Sequence, residues 1–349
     1  MTDAPEPPSG PAAPAVPPVP VVPHVVGLGE SLLRLSPPGH RRLDHATGLE
    51  VEVGGAEMNA LIAAAGLGVP ATWISRVADN PLGHRIAAHA HAFGVRTHIE
   101  WDPGARAPLY FVEQGVPPRP SEVLYDRSGT AMRDLTPDAF DWAALTDGAG
   151  AALSSGITCA LGPGPAAAVA ALLSAARGNG AVTAFDVNHR ARMWTWEEAV
   201  PVLRGVLPHV DVLLASRHDL LRLLPDAPAD AAVAELARRA IGEFGHEMVV
   251  LRETDQLPGR RVAARVTAVT AGGEHAGGTH EADVVDTFGA GDAALGVLLA
   301  ARLAGDGPAE VADKAAWAGA FQHTMPGDAC RIRPADLARR GAEGRRILR

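Results

Sequence analysis

Lysine is nearly missing from this 349-residue chain: Lys314 is the only one, and every other fixed positive side chain is arginine. A Walker-type phosphate loop ends in Gly-Lys-Ser/Thr, so that class of nucleotide site is excluded. Cysteine is as scarce. Cys159 and Cys330 cannot build a disulfide scaffold or a four-thiolate zinc site, and both read as small buried apolar residues. No apolar run reaches the ~18–20 residues of a membrane span; the best stretch, Ala293 to Ala304, is short and carries Arg302. Positive charge is also in deficit, with 31 Lys and Arg against 40 Asp and Glu and a formal charge of −9. That argues against a nucleic-acid partner, because backbone phosphates demand a basic face. It leaves room for a local basic pocket that takes a small anion. The acidic start Met1-Thr-Asp-Ala-Pro-Glu6 has no apolar run after it, so it is no secretory signal, and a cytoplasmic protein with no membrane partner is expected.

The hydrophobic fraction of 47% is enough for a full core. Residues 1–23 hold nine prolines and read as a disordered or polyproline tail. From His24 an α/β rhythm begins. His24-Val-Val-Gly-Leu-Gly29 is a buried strand and turn; Gly54-Gly55 opens an apolar helix to Gly68; Pro70 to Val77 is a second strand; Leu82 to Phe93 is a second helix, closed by Gly94. After Leu135 the rhythm returns, with strands over 150–154, 182–186, 210–215 and 248–251. Helices are read over 165–177, 196–207, 229–244, 290–303 and 309–323. Such alternation predicts a parallel sheet with helical crossovers. Residues 31–50 and 97–133 break it: Leu33-Arg-Leu-Ser36, Leu109-Tyr-Phe-Val-Glu113 and Glu122-Val-Leu-Tyr125 alternate apolar and polar residues, the mark of antiparallel strands. The expected organisation is an α/β core from 24–30, 51–96 and 134–349, with a small β-sheet lid from 31–50 and 97–133.

The stretch richest in chemistry is Asp286-Thr-Phe-Gly-Ala-Gly-Asp292, running straight into the apolar helix from Ala293. Small residues let backbone N–H groups at a helix start point at an anion, and the helix dipole adds about half a positive charge there. A carboxylate at that spot repels a phosphate, so Asp292 makes sense as a base that takes a proton from an attacking hydroxyl. Read alone, Gly-x-Gly-Asp is also a helix cap with an acidic first turn. Other patterns carry less. His84, His89 and His91 have no third ligand and read as solvated helix histidines. Gly27-Leu-Gly29-Glu-Ser-Leu32 lacks both the third glycine and the following helix of a dinucleotide fingerprint.

Asp286–Asp292 resembles the second signature of the ribokinase-like (PfkB) sugar kinases, and Gly54-Gly55-Ala-Glu-Met-Asn59 is similar to the first. The likeness covers roughly residues 24–335. It implies a doubly wound α/β sandwich, mostly parallel, with a small β-sheet lid, and phosphoryl transfer from ATP and Mg²⁺ to a sugar hydroxyl. On the family pattern Asp292 is the catalytic base, and the amides of Gly289, Ala290 and Gly291 form the anion hole. Gly54, Gly55 and Asn59 bind the sugar; Asn188, Ser216, Arg252, Thr287, Gly289 and Gly291 serve the nucleotide. Within the family, Asp186-Val-Asn188-His-Arg190-Ala-Arg-Met-Trp194 resembles the Asp-x-Asn-x-Arg-x-x-Leu-Trp string of the 2-keto-3-deoxygluconate kinases. The run His323-Thr-Met-Pro-Gly-Asp328 follows that subgroup's Cys-Thr-x-x-Gly-Asp without the cysteine. The implied substrate is a sugar acid whose carboxylate pairs with a planar guanidinium, that of Arg190. Tyr110 and Tyr125 would contact it from the lid, and Arg127 would add a second positive contact.

The sequence also departs from the family. The usual Asn-x-x-Glu reads Ser216-Arg-His-Asp219, where Asp219 would organise magnesium through water with a side chain one methylene shorter. The usual Lys-x-Gly-x-x-Gly reads Arg252-Glu-Thr-Asp-Gln-Leu-Pro-Gly259, which keeps a positive charge and displaces the glycines. The expectation is an ATP-dependent kinase acting on the primary hydroxyl of a keto-deoxy sugar acid such as 2-keto-3-deoxygluconate. The alternatives are a neutral-sugar kinase of fructokinase or ribokinase type and a non-catalytic sugar- or nucleotide-binding protein on the same scaffold. Because relatives often pair through their lids, a homodimer or higher homo-oligomer is expected.

Overall fold

The computed structural model of the chain describes residues 23–340. The proline-rich tail expected over 1–23 therefore lies, Pro23 excepted, outside the described residues, as does the end of the expected core, 341–349. In chain order the strands are β1 (His24–Leu28), β2 (Leu32–Ser36), β3 (Glu50–Gly54), β4 (Ala71–Ala78), β5 (Val95–Asp102), β6 (Leu109–Glu113), β7 (Glu122–Asp126), β8 (Ala149–Ser155), β9 (Val182–Asp186), β10 (Val212–Ala215), β11 (Met248–Leu257), β12 (Arg261–Thr270), β13 (Gly273–Ala276) and β14 (His280–Asp283).

Ten strands form one sheet in the order β13-β12-β11-β10-β9-β8-β1-β4-β5, with β14 also paired to β12. From β11 to β5 every pairing is parallel. Parallel strands covered on both faces read as continuous apolar runs, and Val212–Ala215 is buried at every position. Neighbouring residues of one strand feed opposite layers. Val26, Phe185 and Leu213 pack with helices Pro163–Gly178, Trp196–Val206 and Val233–Phe244. Val25, Ala184 and Leu214 pack with helices Ala56–Gly66, Ala290–Leu303 and Pro308–His323. This is a doubly wound α/β sandwich. Helices Ala56–Gly66 and Ala290–Leu303 touch at Gly296, where a Cβ would lie 2.0 Å from the Ala60 carbonyl oxygen. That close approach brings the first turns of the two helices face to face. Lys314, on helix Pro308–His323, is paired with Asp306 and Glu310.

The second sheet has the order β3-β2-β6-β7. Its register sets Glu52, Arg34, Tyr110 and Tyr125 side by side, and Val51, Leu35, Phe111 and Leu124 side by side one residue along, on the opposite face.

Two expected boundaries are corrected. Residues 97–102, assigned to the lid, belong to β5, which pairs in parallel with β4 from Ala71↔Val95 to Ala78↔Asp102. An edge strand covered on one side alternates just as a lid strand does, so alternation cannot tell the two apart. Residues 51–54, assigned to the core, complete β3 of the small sheet. The antiparallel strands β12, β13 and β14 went unread, because Arg261–Thr270 and the glycine-rich stretch after it give no clean alternation. Among the described residues no helix is long and apolar enough to cross a membrane.

Candidate active site

Helix Ala290–Leu303 starts at Gly289, which sits at φ +75°. Glycine is required there twice over, since a Cβ would also fall 2.0 Å from the Asp328 carbonyl oxygen. The amides of the first helical turn have no intrahelical acceptor. Just upstream the amides of Thr287 and Phe288 turn back to Asp286 Oδ1, at 2.7 and 3.3 Å. The loop therefore keeps its own amides engaged up to Phe288 and presents those of the helix start to a cavity of about 360 Å³. Asp292, in that first turn, accepts from Asn59 Nδ2 at 2.8 Å. Burial pushes the Asp292 carboxyl up to about 6; the Asn59 bond opposes this, and the charges of Asp186 and Asp328 add to it.

The small sheet forms one wall. Arg34, only 2% exposed, donates to Asp328 Oδ1 and Asp286 Oδ2, both at 2.7 Å. Burial works against its charge, but the two carboxylates outweigh that and hold the guanidinium protonated. Asp286 Oδ2 also accepts from the Gly327 amide at 3.1 Å, and Asp328 Oδ2 from Tyr110 Oη at 2.6 Å. A Cβ at Gly54 would lie 2.4 Å from both Tyr110 Oη and Asp328 Oδ2, so only glycine lets β3 pass here. Tyr110 is thus buried in the wall, while Tyr125, with its ring centroid 6.0 Å away, stays 41% exposed over the cavity.

The opposite wall lies beyond the carboxyl ends of β1, β8 and β9, where such sheets bind ligands. Arg190 stands exposed at the rim, and Asn188 is nearby at φ +37°. Arg127 is buried against Glu30, with Nε to Oε2 at 3.0 Å, and Thr130 donates to the other oxygen of Glu30. Arg252 Nη2 lies 3.2 Å from Asp186 Oδ2. Behind the first turn of helix Ala56–Gly66, Glu57 is buried and accepts from Ser155 and Thr158; burial pushes it up to about 7 against those two bonds.

One cavity brings together Gly54, Gly55, Asn59, Tyr110, Tyr125 and Arg127 from the first half of the chain. It joins them to Asn188, Arg190, Arg252, Thr287 and the Gly289–Asp292 turn from the second. Ser216 and Asp219 are not on its lining. They cap the helix Arg217–Leu223, Asp219 Oδ2 accepting from the Ser216 amide and hydroxyl at 2.8 Å. Arg127, expected as a free positive contact, has its charge matched by Glu30. Glu30, Arg34, Glu57, Asp186, Asp286 and Asp328 all lie within motifs named above, yet the sequence alone assigns none of them a role. A charged residue midway along an alternating strand, as Arg34 is, was the one local sign available. Among the described residues no three His, Cys, Asp or Glu side chains form a cluster able to hold a metal.

Known proteins resemble the chain over nearly all of its described length. The pfkB family carbohydrate kinase profile matches residues 23–331. The 2-dehydro-3-deoxygalactonokinase of Haloferax volcanii is 35% identical over 90% of this chain and 95% of its own. The 2-dehydro-3-deoxygluconokinase of Thermoproteus tenax is 31% identical over 87% and 89%. The crystal structure of 2-dehydro-3-deoxygluconokinase from Thermotoga maritima superposes with a TM-score of 0.85 at 33% identity, covering 91% of this chain and 97% of that one.

Arg34→Ala leaves Asp286 and Asp328 buried without a countercharge, so it is expected to lower the unfolding free energy by about 3–5 kcal/mol. Urea unfolding of the purified variant measures this. A loss under 1 kcal/mol would show that the bridge contributes nothing to holding the two sheets together.

Proposed function

The chain belongs to the pfkB family of carbohydrate kinases, and from that premise we propose that it transfers the γ-phosphoryl group of ATP to the primary hydroxyl of a keto-deoxy sugar acid, 2-keto-3-deoxygluconate or its galactonate epimer. The observation that carries this reading is one cavity with a raised-pKa carboxylate at a helix start on its floor and an unburied guanidinium on its rim. The names of the two relatives above support the substrate class, and their disagreement over the epimer keeps the reading at the class.

In this reading the sugar lies between Gly54, Gly55 and Asn59 with Tyr125 above it, and its carboxylate meets Arg190. Arg190 is the better partner than Arg127, because Glu30 already matches the charge of Arg127. Asp292 accepts the proton of the attacking hydroxyl, and Asn59 orients the carboxylate. The amides of Gly289, Ala290 and Gly291 receive the oxygens of the transferring group, so the chemistry is mostly positioning and electrostatics. Magnesium fits as an ion that arrives on the nucleotide phosphates, since it needs only one or two carboxylates when phosphates and waters supply the rest. Asp219, whose charge reaches Asp186, would hold it through water. When bound, the ion neutralises phosphate charge. Asn188, Ser216 and Thr287 serve the nucleotide. The small sheet acts as a lid that excludes water. Its outer apolar row, with Val51 38% and Leu124 47% exposed, suits a homodimer formed lid to lid. The reading places the protein in the cytoplasm, where ATP is made available to sugar catabolism.

Three outcomes test this. The rate kcat/KM is expected to fall about tenfold per pH unit below about pH 6, because only ionised Asp292 accepts a proton. Asp292→Asn should lower kcat by about 10²–10⁴ with sugar and ATP binding retained; more than half the wild-type kcat would remove Asp292 as the base. Arg190→Ala should raise KM for the acid by about one to two orders of magnitude and leave a neutral analogue unchanged, since a charged hydrogen bond is worth roughly 1.5–3 kcal/mol. Equal losses on both substrates would turn the reading to a neutral-sugar kinase. For the lid pairing, Leu124→Asp should shift the sedimentation of the protein from dimer to monomer, and a wild-type monomer would refute it.

A further inference from the structure

The helix start at Gly289–Asp292 faces two cavities, not one. The large one holds the residues described above. A smaller one, of about 40 Å³, lies on its other side, walled by β11, β12 and helix Pro308–His323 and lined by Ala264, Val266, Ala294 and Gly319 among others. Three residues line both: Ala290, Gly291 and Arg252. Arg252 is thus the one side chain longer than a methyl group at the boundary between them.

Its placement there is electrostatically odd. The guanidinium lies on Gly291, with Nη1 2.0 Å from the point where a Cβ would stand. No residue but glycine leaves it that room. A helix start carries about half a positive charge, and a cation packed against it is repelled. Asp186, 4% exposed and 3.2 Å away, is the carboxylate that pairs with it. Two converging positive groups make sense when an anion is to lie between them. In the reading above the sugar lies on the Gly54, Gly55 and Asn59 side of the large cavity, and the phosphoryl donor reaches the helix start from the side of Asn188 and Thr287. A phosphoryl group received by the Gly289–Gly291 amides would therefore lie beside Arg252, whose guanidinium rests on Gly291.

We propose that Arg252 is a catalytic residue that rides on the phosphoryl group in flight, parked on Asp186 between turnovers and turning its planar fork onto the equatorial oxygens during transfer. This rests on the kinase reading and gives Arg252 a role beyond holding the nucleotide. The step balances: the bond from the γ-phosphorus to the β,γ-bridging oxygen breaks, its electron pair stays on ADP, the sugar oxygen bonds to phosphorus, and the hydroxyl proton goes to Asp292. Arg252 donates hydrogen bonds throughout and neither gains nor loses a proton.

The test compares wild type, Arg252→Ala and Arg252→Lys by steady-state kinetics with ATP and 2-keto-3-deoxygluconate, alongside their melting temperatures. Arginines that contact a transferring phosphoryl group are worth about 10³–10⁵ in rate. The Ala variant should lose about 10³ in kcat, with the KM for ATP within about fivefold of wild type, and added guanidinium ion should raise its rate. Lys keeps the pairing with Asp186 but not the fork, so that variant should fold normally and still lose at least tenfold in kcat. Binding supplies a second readout: Arg252→Ala should weaken ADP with aluminium fluoride, a planar phosphoryl mimic, at least 100-fold, and ADP alone less than fivefold. A folded Lys variant with wild-type kcat, or a loss wholly in the KM for ATP, overturns the proposal while leaving the kinase reading standing. A wild-type protein that phosphorylates no sugar or sugar acid overturns the kinase reading and this proposal with it.

Discussion

The bridge from Arg34 to Asp286 and Asp328 is the interaction on which the site depends. It joins β2 of the small sheet to two loops that lie 252 and 294 residues away in sequence. One of those loops leads into the helix start through the Asp286 turn; the other packs its Asp328 carbonyl under Gly289. One guanidinium therefore sets the small sheet and the helix start relative to each other. A buried ion cluster is a poor source of net stability, because desolvation of the charges offsets most of their attraction. What it supplies here is geometry. Two carboxylates converging on a planar fork admit few arrangements, and Tyr110 and the Gly327 amide occupy the lone pairs that remain.

The same bridge settles an electrostatic conflict. The cavity gathers Asp292 and Asp328, with Asp186 close behind, beside a helix start and the arginines 127, 190 and 252; burial raises the Asp292 carboxyl, and the charges of Asp186 and Asp328 add to that. Left unpaired, the acids would collapse onto the arginines. Instead each has its own partner in this structure: Asp328 with Arg34, Glu30 with Arg127, Asp186 with Arg252. Asp292 alone is held by a neutral amide, Asn59, and so stays free to change protonation.

The sequence showed the architecture well where one local signal dominates. Helix Ala290–Leu303 is apolar with a glycine start, and Val182–Asp186 is a short, mostly apolar run that follows a helix and a glycine; both elements lie where the pattern put them. It failed where one local pattern serves two tertiary ends. Val95–Asp102 alternates because it is the edge of the large sheet, and nothing within those eight residues says which sheet they join. The site divides the same way. The glycines and Asp292 gather from short motifs, because their spacing within one turn is itself the geometry. Arg34 and Glu30 escaped notice because a buried charge declares itself only through its partner, and the partners are far away in the chain. Arg127 read as free for the same reason: Glu30, which matches its charge, lies 97 residues before it.

The near absence of lysine has a chemical consequence for this surface. Guanidinium groups hold their protons far above neutral pH and do not act as nucleophiles, whereas a lysine amine is the target of acylation, carbamylation and glycation. Every fixed positive side chain that lines the cavity is an arginine, and Lys314 lies outside it, held by Asp306 and Glu310. The chain offers one side-chain amine, and that amine is not at the cavity. Reactive carbonyls, including those of an open-chain keto acid, would find no amine in the pocket with which to form a Schiff base.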